Sequence, residues 1–145
     1  MRKIIFAIIA VVSFYACETS EDISLGMDHE VPSYYVLTDT LYSRAGQTVD
    51  IKIDVSDNAG LNKLVFSYGE WLLRESVTLA DKPKNYTFEI SVFVPEDAKT
   101  EWQEEVILND GSKKTVTQNY HKLLLEATDI SMNVRKIPFY ICIFE

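Results

Sequence analysis

Few residues of this chain could do chemistry, and their spacing limits what that chemistry could be. The two histidines are His29 and His121. A nucleophile–base–orienter set or a zinc site needs several convergent groups, and neither histidine stands in such a pattern. The chain therefore reads as a binding or structural protein and not as an enzyme, with no catalytic residue and no cofactor expected. Asp57, Asn58, Asp129 and Asn133 carry side-chain oxygens in two separate turn-forming stretches. Such residues stabilise turns through local backbone hydrogen bonds, and that is the role expected of them. The alternative is a site for Ca²⁺, which takes about six to eight oxygen ligands. Trp102 lies among Glu101, Gln103, Glu104 and Glu105. A large aromatic beside carboxylates offers a stacking face and hydrogen-bonding groups together, so Trp102, Glu101 and Glu104 are the candidates for contact with a sugar or a protein partner; the other reading, which the usual burial of tryptophan favours, is that Trp102 folds back to plug the end of the sandwich. Trp71, Tyr34, Tyr35, Tyr42 and Tyr86 could also stack on a sugar. At alternating strand spacing, however, aromatics more often serve packing.

These residues sit on short extended segments. Val49, Ile51, Ile53 and Val55 alternate with Asp50, Lys52 and Asp54. A period of two places the β-branched residues on one face and the charges on the other, which describes a half-buried strand. Turn formers at 57–60 separate it from a second alternation with Leu64, Phe66 and Tyr68 on one face. Further strands are expected at 32–42, with a break near Asp39, and at 71–79. Another covers 86–94 and stops at Pro95. The stretch 120–128 carries Leu123, Leu125 and Ala127, and the last strand spans 133–144. Pro138 cannot donate to a ladder, so this last strand should be at an edge or bulged there. Segment 96–108 could form a short helix with Trp102 and Val106 on one face. Asn109-Asp110-Gly111-Ser112 is instead a two-residue hairpin turn signal, pairing Ile107 with Lys114 and Glu105 with Val116, and the hairpin is the favoured reading. About seven strands without βαβ alternation describe an antiparallel β-sandwich. Ile51, Ile53, Leu64, Phe66, Phe88, Ile90, Leu123, Leu125 and Ile141 form its expected core.

The N-terminus follows different rules. Arg2 and Lys3 precede an apolar run from Ile4 to Val12. A membrane-spanning helix needs about 20 apolar residues, and a basic start with a short apolar run is the pattern of a signal peptide. Ala16-Cys17 at its end resembles a bacterial lipobox, with Phe14 where leucine is usual. The resemblance implies acyl chains on Cys17, anchoring in the outer membrane or at the cell surface, and residues 1–16 as the lipoprotein signal peptide. Residues 17–31 are polar and acidic without periodicity, which suits a flexible tether. Glu18, Glu21 and Asp22 resemble the acidic export tags of surface lipoproteins in glycan-foraging Gram-negative bacteria. Cys142 is then left without an intrachain disulfide partner and is expected to be a buried, inert thiol. The 14 basic residues include Arg2 and Lys3, so the remainder of the chain sets 12 against 22 acidic residues. That balance argues against nucleic acid as a partner.

The domain proper, residues 32–145, carries a more specific resemblance. Val55-Ser-Asp-Asn-Ala-Gly-Leu resembles the D-x-x-G-(L/I) turn of immunoglobulin-like modules in bacterial surface lipoproteins. Leu125-Glu-Ala-Thr-Asp-Ile-Ser-Met-Asn resembles their closing A-x-D-x-x-G-N turn, with Met132 in place of the usual glycine. Tyr120 resembles the tyrosine-corner position. The resemblance implies an all-β, immunoglobulin-like sandwich in which the 57–60 turn and the 129–133 turn lie at one end. It would bring Asp57, Asn58, Asp129 and Asn133 together and direct segment 96–114 away from the lipid anchor. The implied function is a lipid-anchored binding or spacer module at the cell surface, with a glycan or an envelope protein as partner. The alternative is an accessory lipoprotein that works only through protein–protein contacts.

Overall fold

The computed structural model describes residues 28–144. The expected signal segment, the expected acylation site Cys17 and most of the expected tether lie outside the described residues. Ten strands form: β1 (Ser33–Tyr35), β2 (Thr40–Ser43), β3 (Thr48–Ser56), β4 (Leu61–Tyr68), β5 (Leu73–Thr78), β6 (Asn85–Phe93), β7 (Trp102–Ile107), β8 (Lys113–Gln118), β9 (His121–Asp129) and β10 (Val134–Ile143). One sheet has the order β1-β3-β6 and the other β2-β10-β9-β4-β5, while β7 and β8 form a separate two-stranded ribbon. This is the strand order of an immunoglobulin-like sandwich. The count exceeds the seven or so strands expected for three reasons. The first strand divides into β1 and β2, which join different sheets, with β2 parallel to β10. The 96–114 segment supplies a strand of its own. Its second arm, β8, ends at Gln118 and is a strand separate from β9.

The core follows the alternation. Ile51, Ile53 and Val55 of β3 and Phe88 and Val92 of β6 face Leu64 and Phe66 of β4, Leu123, Leu125 and Ala127 of β9, and Ile137, Phe139 and Ile141 of β10. Ile90, also expected in the core, is only partly buried against it. Phe66 joins the sheets, with its ring centroid 5.9 Å from Phe88 and 6.1 Å from Phe139. Leu61 and Leu64 are both fully buried although they are three residues apart, because a register shift between Leu61 and Lys63 restores the phase. β2 covers β10 only from Tyr140 onward, so at Pro138 the strand has β9 as its single partner and its missing N–H costs no second ladder. Cys142 is only half-buried: it lies on the opposite phase from the inward-facing Ile141 and Ile143, and it is outside any disulfide among the described residues. Tyr120 packs edge-on against Tyr140, ring centroids 5.2 Å apart.

The strand directions give the sandwich two distinct ends. The residues before β1 arrive where β3 ends, where β4 begins and where β9 meets β10. The β7–β8 ribbon leaves from the opposite end, between the end of β6 and the start of β9. Among the described residues no helix is long and apolar enough to cross a membrane. The strand phase has a direct test by thermal or denaturant unfolding. Ile53 is 1% exposed, so Ile53→Ala should cost about 2–5 kcal/mol. Lys52 pairs with Glu89 on the solvent face, and Lys52→Ala should leave the midpoint close to wild type.

Candidate functional site

The first site is built on the two turns at the end where the leader arrives. Asp57 closes β3 and accepts at Oδ1 from the backbone N–H groups of Ala59 (3.0 Å) and Gly60 (2.8 Å). This side-chain turn is the reason for an aspartate three residues before the glycine. Gly60 has φ +133°, and a Cβ there would stand 2.7 Å from the Lys82 carbonyl oxygen. The second turn repeats the device: Asp129 accepts from the Asn133 N–H and from Asn133 Nδ2, both at 2.7 Å. Met132 holds φ +69°, the left-handed conformation for which glycine is the natural residue.

The structure brings these turns together and adds a residue that sequence reasoning missed. Asp28, placed by the sequence in the tether, folds onto both turns. Its Oδ1 accepts from Asn58 Nδ2 at 3.3 Å and from the Glu30 N–H at 3.0 Å, and its carbonyl accepts from Asn133 Nδ2 at 2.9 Å. Pro32 is buried, and Arg135 Nε donates to its carbonyl at 2.9 Å. The ordered domain thus starts at least four residues ahead of the boundary expected at Pro32. Asp28, Asp57 and Asp129 each offer an oxygen, and these oxygens lie within 4.8 Å of one another. Asp57 is 8% exposed and Asp129 is fully buried. Asn58 and Asn133, expected alongside Asp57 and Asp129 as oxygen donors, instead use their Nδ2 groups to hold the carboxylates.

The second site lies at the ribbon end. His121, 1% exposed, opens β9. Its ring sits 4.7 Å from the Trp71 ring and 4.8 Å from the Trp102 ring, centroid to centroid. Nε2 donates to the Lys99 carbonyl at 2.8 Å, and Nδ1 is 2.8 Å from the Tyr68 hydroxyl. The Tyr68 hydroxyl is also 2.9 Å from Glu70 Oε2. With a neutral ring, Nδ1 accepts from Tyr68. With a charged ring, Nδ1 donates to Tyr68, which then donates to Glu70. Burial, followed by the hydrogen bond to Glu70 and its negative charge, raises the Tyr68 phenol above its ordinary range. With both nitrogens engaged, His121 fixes the loop at Lys99, the turn at Trp71 and the base of the ribbon. A shallow groove of about 310 Å³ beside it is lined by Glu70, Trp71, Asp97 and Lys99 among others.

Trp102 is therefore half-buried and anchors the ribbon, while Glu101 and Glu104 remain exposed. Glu104 accepts from Gln118 Nε2 at 2.9 Å. The ribbon's register differs from expectation: Ile107 pairs with Lys113 and Glu105 with Thr115. Leu108 N–H bonds the Ser112 carbonyl, and Gly111 alone in the loop takes positive φ. Asn109, Asp110 and Gly111 form a three-residue loop with glycine in the left-handed position. Asp110 accepts from the N–H and Oγ of Ser112, which lowers its carboxyl's proton affinity and ties the loop in this form.

Compared with known proteins, the chain matches no family model, and no curated protein is similar to it in sequence.

Three substitutions probe the two ends. Gly60→Ala should destabilise by roughly 2 kcal/mol through clash and backbone strain, whereas Met132→Gly should raise stability by up to about 1 kcal/mol. At the other end, Trp102→Ala should cost roughly 2–3 kcal/mol, less than for a fully buried ring, and should increase the protease sensitivity of the 96–118 segment above that of the rest of the domain.

Proposed function

We propose that this protein is a lipid-anchored module of the outer membrane or cell surface, held through Cys17, that presents the ribbon end of its sandwich to a glycan or an envelope protein. The observation that carries the reading is the separation of the ends: the leader enters at the carboxylate end, and the β7–β8 ribbon leaves from the other. A chain tethered at its N-terminus then holds the ribbon outward. The ribbon end has the groups a polar ligand would use. Trp71 lines an open groove together with Glu70, Asp97 and Lys99, and Glu101 and Glu104 are exposed nearby in sequence. The reading is of binding rather than catalysis. His121 is the residue best suited to acid–base work, but it is packed against two tryptophans with both nitrogens engaged, and a general base needs access to the reacting proton.

The second reading, an accessory lipoprotein working through protein contacts alone, has an observation of its own. Ile107 and Leu108 at the ribbon tip are 71% and 44% exposed. Apolar groups at the tip of a projecting ribbon suit a protein surface better than a sugar.

Anchoring is tested by membrane fractionation and intact mass. Cys17→Ser should release the protein and remove the acyl mass, and a wild type that carries no lipid would refute the anchor. A glycan array and an envelope pull-down, run with wild type, a Glu101→Ala/Glu104→Ala variant and an Ile107→Ser/Leu108→Ser variant, separate the two partner classes. Loss of array signal in the glutamate variant supports glycan capture. Loss of pull-down in the tip variant alone supports the accessory reading.

A further inference from the structure

We propose that Asp28, Asp57 and Asp129 bind one Ca²⁺ ion, which clamps the leader onto the end of the sandwich. Three carboxylates from three distant parts of the chain converge, their offered oxygens within 4.8 Å of one another. Like charges so close in a buried setting repel strongly unless a positive charge compensates them. None of the ion pairs among the described residues involves any of the three. The independent observation is the state of the oxygens. Asp57 Oδ2 is buried with no hydrogen-bond partner among the described residues, although Asp57 as a whole is only 8% exposed, and Asp28 Oδ2 is in the same condition. A desolvated carboxylate oxygen without a donor is costly, and a cation removes that cost.

The donor set selects the ion. It consists of hard carboxylate oxygens without nitrogen or sulfur, which suits Ca²⁺ or Mg²⁺ over transition metals. Two ligands on opposite sides of Ca²⁺, at about 2.3–2.6 Å each, stand up to about 5 Å apart, whereas Mg²⁺ at about 2.0–2.1 Å requires a tighter cluster and near-ideal octahedral geometry. Asn58 and Asn133 are positioning residues here. Asn133 holds both oxygens of Asp129 and the carbonyl of Asp28, and Asn58 holds the Asp28 carboxylate. Ca²⁺ binding thus joins the 57–60 turn, the 129–133 turn and the leader, and it fixes the angle at which the domain leaves its leader. This inference does not depend on the lipid anchor or on the ligand of the ribbon end.

The test is calorimetric titration and thermal melting of the full chain after removal of metal with EDTA, in detergent where it is lipidated. One Ca²⁺ should bind per chain, with a dissociation constant on the order of 10⁻⁴–10⁻³ M or tighter, as in extracellular modules. The melting temperature should rise with Ca²⁺, respond much less to equal Mg²⁺, and return with EDTA. Asp28→Asn should weaken Ca²⁺ at least tenfold and melt no lower than wild type in EDTA, because it relieves the repulsion within the cluster. Asp57→Asn should weaken Ca²⁺ similarly and melt no lower than wild type in EDTA, because it removes a repelling charge. Absence of any Ca²⁺ response overturns the site. Unchanged affinity in Asp28→Asn overturns the clamp. Stabilisation by mild acid with no response to Ca²⁺ assigns the cluster to a shared proton and likewise overturns the proposal.

Discussion

Two carboxylates held out of water constrain one end of this sandwich, and much of its local structure exists to accommodate them. Asp57 and Asp129 terminate β3 and β9, each accepting hydrogen bonds from the turn that follows it. Each turn then needs one residue of positive φ, Gly60 in the first and Met132 in the second. Gly60 also admits the Lys82 carbonyl, and the Leu61 N–H bonds the Pro83 carbonyl, so the 79–84 loop is fastened to the same corner. The leader follows, because Asp28 completes the set of charges and Asn133 holds its carbonyl. A cation at this point turns a repulsive arrangement into the cross-link between the domain and whatever precedes it.

The other end solves a different problem. A two-stranded ribbon with little buried surface is marginal by itself, and β7–β8 is exposed on most of both faces. Its stability is borrowed at its base, where Trp102 lies against His121 and His121 lies against Trp71. A histidine serves there because its flat ring fits beside both indoles while its two nitrogens bond the Lys99 carbonyl and the Tyr68 phenol. A leucine of similar volume could fill the gap but could not bond Lys99 and Tyr68. Beyond this base the arms are mostly exposed, with Glu104 and Glu105 on β7 and Lys113 and Lys114 on β8.

What the sequence made legible follows from the range of the interactions involved. Strand phase is a local property, and Ile51, Ile53, Leu64, Phe66, Phe88, Leu123, Leu125 and Ile141 face inward as their alternation predicts. The pairing of the 57–60 and 129–133 turns followed from the resemblance to immunoglobulin-like modules. Asp28 was not legible, because its partner Asn133 is 105 residues away and nothing local separates it from the acidic residues of a tether. The cluster of Trp71, His121 and Trp102 was hidden for the same reason, since its tilted rings come from a turn, a strand start and a ribbon. The ribbon's register depended on one torsion. A two-residue Asp110-Gly111 turn requires positive φ at both positions, but only Gly111 adopts it, and Asp110 is committed to Ser112.

If a cation at the carboxylate end orders the leader while the ribbon end is built independently, amide hydrogen exchange with saturating Ca²⁺ and with EDTA will separate the two ends. Ca²⁺ should slow exchange most at residues 28–31, 57–60 and 129–133 and leave the exposed, locally opening ribbon at 102–118 unchanged. Equal exchange at 28–31 in both conditions, or a uniform change across the domain, would contradict this.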